Sequence, residues 1–230
     1  MPGAWGASPT SQQLQALENA LNTDGDRALG DLLEASPGFD PAGLENRRRL
    51  LRAQFPNARW VLRPGTPLQD GQPTVYLKVT GSRQEGPTTY SLEAEQTLAL
   101  RSNGQRINGQ TVLREQALLR SGEEPLPVSV LIPDRVLTGQ RYDVDVIFDD
   151  PLDGALTAGG ILALSPAQVA AMESPSIELT ALSGGGLFKT VQAPLTPGSQ
   201  TWAVLLVHPK GVVTATKRVR VVADAKDLQP

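Results

Sequence analysis

An Asn-Gly dipeptide at residues 103 and 104, with a long strand-prone run on each side, constrains this chain more than any other stretch. Asn-Gly tolerates the positive φ angles of a two-residue hairpin turn, so Thr88 to Ser121 reads as two long strands joined there. With Asn103 and Gly104 as the central residues, Ser102 faces Gln105 and the pairing steps outward. Leu100 then faces Ile107, Leu98 faces Gly109 and Gln96 faces Thr111. Ala94 follows with Leu113, Leu92 with Glu115 and Tyr90 with Ala117. That side is mostly apolar. The reverse side pairs Glu93 with Arg114 and Thr97 with Gln110, as a solvated face would. Gln96, Thr111 and Glu115 interrupt the apolar side, and a carboxylate on a core face is costly unless bonded, paired or wetted. Two readings stay open for Glu115. Either it lies on the inner face, or it reaches solvent near the open end of the hairpin or through a bulge that flips the register.

Helical signals precede the hairpin. Thr10 or Ser11 caps a helix carrying Leu14, Leu17 and Leu21, and Asn22 to Gly25 breaks it. Asp24 offers a cap for a second helix with Ala28, Leu29, Leu32 and Leu33 along one face. Asp40-Pro41 starts a third, with Leu44, Leu51 and Phe55 as its apolar stripe. Arg47, Arg48, Arg49 and Arg52 crowd that helix, either as a solvated face or as a site for an anionic partner. Alternating residues around Trp60 and Leu62, and then Val75, Leu77 and Val79, read as strands.

Three helices followed by at least four antiparallel strands predict an α+β domain over residues 10–121, with a curved sheet wrapped on a helical layer. This order resembles the nuclear transport factor two-like family, whose cone-shaped fold is shared with ketosteroid isomerase-like and polyketide cyclase-like proteins. The resemblance implies a pocket on the concave side of the sheet, lined here by Tyr90, Gln96, Thr111 and Glu115. It also implies dimerisation through the sheet. The family's isomerases use aspartates with a tyrosine and its cyclases use His or Asp. The predicted inner face offers only Glu115 and Tyr90, so Glu115 is a weak candidate for a general base.

Residues 122–127 read as a linker, charged and stiffened by Pro125 and Pro127. Short strand signals follow over 128–223: Val128 to Ile132, then Tyr142, Val144, Val146 and Phe148 in alternation, then Gly160 to Leu164. Ser165-Pro166 caps a short helix. Trp202, Val204 and Leu206 share one face before the turn at Pro209-Lys210-Gly211, and Val212 to Val222 forms the last strand. Leu195 to Gly198 with Trp202, Val204 and Leu206 resembles an immunoglobulin or fibronectin type III-like sandwich without its paired cysteines. The two domains in this order resemble an uncharacterised family of photosynthetic bacteria. Residues 1–9 and 224–230 read as a flexible start and a polar tail.

Chemistry is sparse in this half. Ser183 to Thr190 is Gly-rich and ends in Lys-Thr, but Phe188 stands where a phosphate loop needs Gly, so a mobile loop presenting Leu187 and Phe188 is expected. Asp143, Asp145, Asp149, Asp150 and Asp153 lack the spacing of a calcium loop. His208 is the sole histidine and has no second His with which to build a metal site.

Composition narrows the classes further. The chain has 230 residues, no cysteine and a formal charge of −3. Residues 1–122 carry 13 basic and 12 acidic side chains, and the remainder carries 8 and 12. Neither half has the cationic excess that binding a nucleic acid backbone requires. Disulfides and thiolate metal sites are excluded. No apolar run reaches membrane-spanning length and no signal peptide is evident, so a cytoplasmic protein is expected, or a periplasmic or lumenal one if a leader has been removed. No cofactor and no metal are expected. The sequence thus points to a non-enzymatic binding or scaffolding protein, with a small apolar ligand or a protein as partner. The alternative is an isomerase- or cyclase-like enzyme using Glu115 as base with Tyr90 assisting. A third reading is a purely structural pair of domains.

Overall fold

Strand accounts for 49% of the chain and helix for 20% in the computed structural model. It describes residues 7–122, 126–149, 154–172, 174–182 and 184–228. Residues 1–6 of the expected flexible start, 123–125 of the expected linker, 150–153, 173, 183 and the last two tail residues lie outside the described residues. Two compact units emerge: residues 1–83 with 95–113, and residues 84–94 with 114–230. The long hairpin contributes its tip to the first unit and its base to the second.

In the first unit, α1 (Ser11–Asn22) opens on a capping box. Thr10 Oγ1 accepts the Gln13 N–H at 3.2 Å, and Gln13 Oε1 accepts the Thr10 N–H at 2.9 Å. These bonds satisfy two donors that a helix start leaves over. α2 (Arg27–Leu32) is a six-residue helix, and α3 (Pro41–Gln54) begins with Pro at its first position. Neither Asp26 nor Asp40 makes a side-chain cap bond. The expected cap Asp24 serves another purpose, as the ion-pair partner of Arg52.

The arginine row of α3 is not uniformly a solvated face. Arg48 is only 5% exposed. Its Nε donates to the Leu21 carbonyl at 2.9 Å, Nη1 to Asp26 at 3.0 Å and Nη2 to the Thr23 carbonyl. Arg52 Nη2 donates to the Asn22 carbonyl at 2.7 Å, and its guanidinium lies 5.6 Å from the Trp60 ring centre. Two cations thus close the C-terminal end of α1, where orphan carbonyls and the negative end of the helix dipole collect. Burial holds the Arg48 guanidinium below its usual pKa, assisted by the neighbouring Arg52 and opposed by Asp26 and Asp24.

Helix α1 also covers the edge of the sheet. Strand β1 (Arg59–Pro64) pairs antiparallel with β2 (Val75–Glu85), with Trp60 opposite Val79 and Leu62 opposite Leu77. On the other side of β1, Asn22 donates to the Trp60 carbonyl at 2.7 Å and accepts its N–H at 3.0 Å. Glu18 accepts the Leu62 N–H at 2.7 Å. Helix side chains thereby satisfy strand groups that an edge would leave open.

The hairpin consists of β3 (Thr88–Ser102) and β4 (Ile107–Ser121). β1, β2, β3 and β4 are hydrogen-bonded in that order. The turn differs from the expected one by a residue. The Asn103 N–H donates to the Arg106 carbonyl at 3.1 Å, so Gly104 and Gln105 are central. Asn103 Oδ1 accepts the N–H groups of Gln105 and Arg106, and Gly104 takes the positive φ, +95°. Asn103 acts here through its side chain, as Asn does in Asx turns. Stepping outward one for one from Asn103 and Arg106 would bring Thr89 opposite Arg120. Instead the Gly122 N–H donates to the Thr89 carbonyl at 3.1 Å. Both ends thus depart from the register stepped out from Asn103 and Gly104, in which Thr89 would face Leu118.

The second unit holds two sheets. β12 (Gly211–Val222) lies between β4 and β11 (Gly198–His208), followed by β8 (Thr157–Leu164) and β9 (Thr180–Leu182). β6 (Arg135–Leu137) runs parallel to β12. The other sheet has the order β10 (Gly186–Gln192), β7 (Arg141–Phe148), β5 (Val128–Leu131). Their shared core includes Val144, Val146, Trp202, Val204, Leu206, Val213, Ala215 and Val219. Alternate residues of each strand supply it. Gly160 is required by close approach, since a Cβ there would strike the Glu178 carbonyl. Helix α4 (Pro166–Ala171) carries the expected Ser165 cap, completed as a capping box by Gln168.

Two polar features are built into this core. Trp202 Nε1–H donates to the Tyr142 hydroxyl at 2.9 Å, and that hydroxyl donates to Gln200 at 2.6 Å. Lys217 is 3% exposed and is neutralised by Asp134, which Arg114 also approaches at 3.4 Å.

These observations correct the expected fold class. The chain is mostly β, with three short helices ahead of the strands, and does not form a clear three-helix cone on a curved sheet. The last strands likewise do not close a free-standing immunoglobulin-like sandwich, because β12 pairs along β4 from Glu115 to Arg120. That long-range strand pairing is one that alternation within a strand cannot announce.

Two outcomes follow for stability. Arg48→Ala should lower the free energy of unfolding in urea by about 2–4 kcal/mol, since it strands buried acceptors. Arg48→Lys should recover only part of this, because one ammonium cannot span three acceptors; full recovery would contradict the capping role. Tyr142→Phe should cost about 1–3 kcal/mol at neutral pH. Burial raises the Tyr142 phenol above its ordinary value, with the Trp202 hydrogen bond opposing. The unfolded phenol therefore ionises first, so the stability owed to Tyr142 is intact below pH about 10 and fades above it. The gap between wild type and Tyr142→Phe should narrow accordingly in alkaline denaturation series.

Candidate functional site

Glu115 enters the base of β4, where β12 runs alongside it. Arg218 is its cross-strand partner, and Arg218 Nε donates to Glu115 Oε2 at 2.5 Å. The side chains are 31% and 27% exposed, for Glu115 and Arg218 respectively. Charges directly opposite on neighbouring strands attract, and a charge-assisted N–H···O bond of this length is among the stronger kinds. The carboxylate that breaks the apolar alternation of β4 is thus matched by a cation 103 residues further on.

The register from Glu115 to Arg120 runs without interruption against β12, so Leu118 points to the opposite face from Glu115. Leu118, opposite Ala215, belongs to the core cluster of the second unit. Glu115 shares its face with Ala117 and Leu119, and with Thr214, Thr216 and Arg218 of β12. On the core face lies the separate charge group of Lys217, Asp134 and Arg114. Consecutive residues Lys217 and Arg218 are therefore neutralised on opposite sides of one sheet.

The other expected pocket residues are all half-buried on strands: Tyr90 and Gln96 on β3, and Thr111 on β4. Tyr90 and Glu115 fall in the second compact unit, Gln96 and Thr111 in the first. Arg218 is the residue that sequence reasoning missed. The available signal was the alternation of β12, which puts Thr214, Thr216, Arg218 and Arg220 on the face away from the core. Arg220 is held below its usual pKa by burial and by Arg135, with Asp227 opposing.

Elsewhere, Asp143 accepts the Thr190 hydroxyl at 2.7 Å and Asp145 accepts the Lys189 N–H at 3.3 Å. Asp150 and Asp153 lie outside the described residues. Among the described residues, no three of His, Asp and Glu are grouped as a metal site would require. His208 ends β11, with Nδ1 accepting the Lys210 N–H at 3.1 Å and its ring 5.6 Å from that of Phe148. The expected mobile loop at Leu187 and Phe188 is instead strand β10. Leu187 packs on the core and Phe188 is 61% exposed. No helix among the described residues is long and apolar enough to cross a membrane.

Residues 123–222 match the family model described as a domain of unknown function, DUF8623. No curated protein matches the chain. The match corrects the expected resemblance: over this span it is to that domain, and not to an immunoglobulin or fibronectin type III-like module. With a mostly β architecture in place of a helix-on-sheet cone, the resemblance of residues 10–121 to the nuclear transport factor two-like family is not upheld either.

Proposed function

We propose that this chain is a non-enzymatic binding or scaffolding protein that works through surfaces of its strands. The observation that carries this reading is the engagement of Glu115. The one carboxylate singled out as a general base accepts from Arg218 at 2.5 Å, in a pair set by strand register. Its geometry is that of a cross-strand clasp. Catalysis would require the carboxylate to leave Arg218. The binding reading draws its support from the second unit, where Phe188 of β10 and Leu131 of β5 stand exposed. Such residues grouped on one face mark interaction surfaces more often than scattered ones do.

Thermal-shift screening of a small-molecule panel against wild type and Glu115→Gln tests the assignment of Glu115. The substitution itself should reduce stability by about 0.2–1 kcal/mol, as for a partly exposed pair. Any compound that stabilises the protein should shift both forms equally. A compound that stabilises wild type alone and is chemically converted on incubation with it would overturn the non-enzymatic reading.

A further inference from the structure

The three-stranded sheet of the second unit has one face on the core and one away from it. Pairing fixes the membership of each. Phe188 of β10 is opposite Asp145 of β7, and Asp145 is opposite Leu131 of β5. Val144 and Val146, on either side of Asp145 in β7, are fully buried, so the Phe188–Asp145–Leu131 row lies on the outer face. Phe188 is 61% and Leu131 56% exposed. They flank Asp145 at about 5 Å of strand spacing on each side. The next row along, Gly186, Ile147 and Ser129, places a half-buried isoleucine between two small residues. On the other side, Asp143 stands opposite Thr190.

This is a short apolar saddle with a carboxylate at its centre. Asp145 accepts one backbone N–H, from Lys189, and Asp143 accepts a hydroxyl. Among the described residues neither carboxylate has a cationic partner. Lys189 itself turns to the opposite face, with Nζ 5.7 Å from the Trp202 ring centre. Every other carboxylate discussed above on a packed strand of this unit has its cation: Glu115 has Arg218, and Glu93 has Arg120 at 3.7 Å. The charge left open is negative and is flanked across the strands by exposed Phe188 and Leu131.

We infer that this face docks a protein segment presenting a lysine or arginine between apolar side chains, the cation meeting Asp145 and the apolar groups covering Phe188 and Leu131. The inference rests on the binding reading above and names the partner class. Arginine suits the site better than lysine, because its planar guanidinium can bond a carboxylate in two places and lie against the Phe188 ring. Covering the row removes water from the pair and strengthens it.

A random peptide library displayed on phage and selected against the full chain tests this. The enriched peptides should carry Arg or Lys flanked by apolar residues. Synthetic copies should bind Phe188→Ser and Asp145→Asn about tenfold or more weakly, as loss of a hot-spot contact does, while the unfolding midpoints of both variants stay near wild type. Leu131→Ser serves as a second apolar variant should Phe188→Ser unfold. Peptides that bind wild type and variants alike would overturn this face and leave the binding reading standing. A selection that enriches nothing would count against both. A concentration-dependent dimer in sedimentation, abolished by Phe188→Ser, would show a second copy as the occupant and overturn the inferred partner.

Discussion

The pairing of β12 with β4 is the constraint on which the second unit depends. β12 is flanked on both sides, by β4 and by β11, so its backbone donors and acceptors are taken up within the sheet. Its side chains fix the register. Val213, Ala215, Val219 and Val221 face the core, while Thr214, Thr216, Arg218 and Arg220 face away. A slip of one residue would carry two guanidinium groups into the core and four apolar residues out of it. Lys217 is the exception on the core side. It is tolerated because Asp134, from the turn before β6, reaches it. The cross-strand bond of Arg218 to Glu115 holds the same register from the other face.

The first unit is held by a different device. α1 is short, and its C-terminal carbonyls would be costly to bury unpaired. Arg48 and Arg52 of α3 supply donors to Leu21, Asn22 and Thr23, and Asp24 and Asp26 balance their charge. Asn22 and Glu18 of the same helix then meet the outward backbone of β1. One polar network therefore joins helix to helix and helix to strand, where a larger apolar stripe would otherwise be needed.

What the sequence discloses follows the range of the interaction. Thr10, Ser165 and Pro41 mark helix starts, because caps act within three residues. Asn103-Gly104 announces the hairpin, although the Asn side chain bonds within the turn and Gly104 and Gln105 become its central residues. The alternation of Tyr142, Val144, Val146 and Phe148 identifies a strand and its buried face. Nothing in it names a partner strand. For that reason β4–β12 was invisible, and with it the cation that neutralises Glu115. The arginines of α3 show the same limit: four in close succession look solvated until tertiary structure turns Arg48 inward. Phe188, expected in a loop, is in a strand because Gly186 to Gln192 pairs with β7 along its whole length.

The β4–β12 register pairs Glu115 with Arg218, and the register of the three-stranded sheet sets Asp145 between exposed Phe188 and Leu131. The proposed binding role rests on these two placements. Because the chain has no cysteine, the pairing itself can be probed with engineered ones. Ala117 and Thr216 are directly opposed, whereas Gln116 and Thr216 point to opposite faces. With Cys at 117 and 216, mild oxidation should form an intrachain disulfide that mass mapping detects; with Cys at 116 and 216 it should not. Efficient bridging of 116 to 216, with none between 117 and 216, would contradict the register on which this account rests.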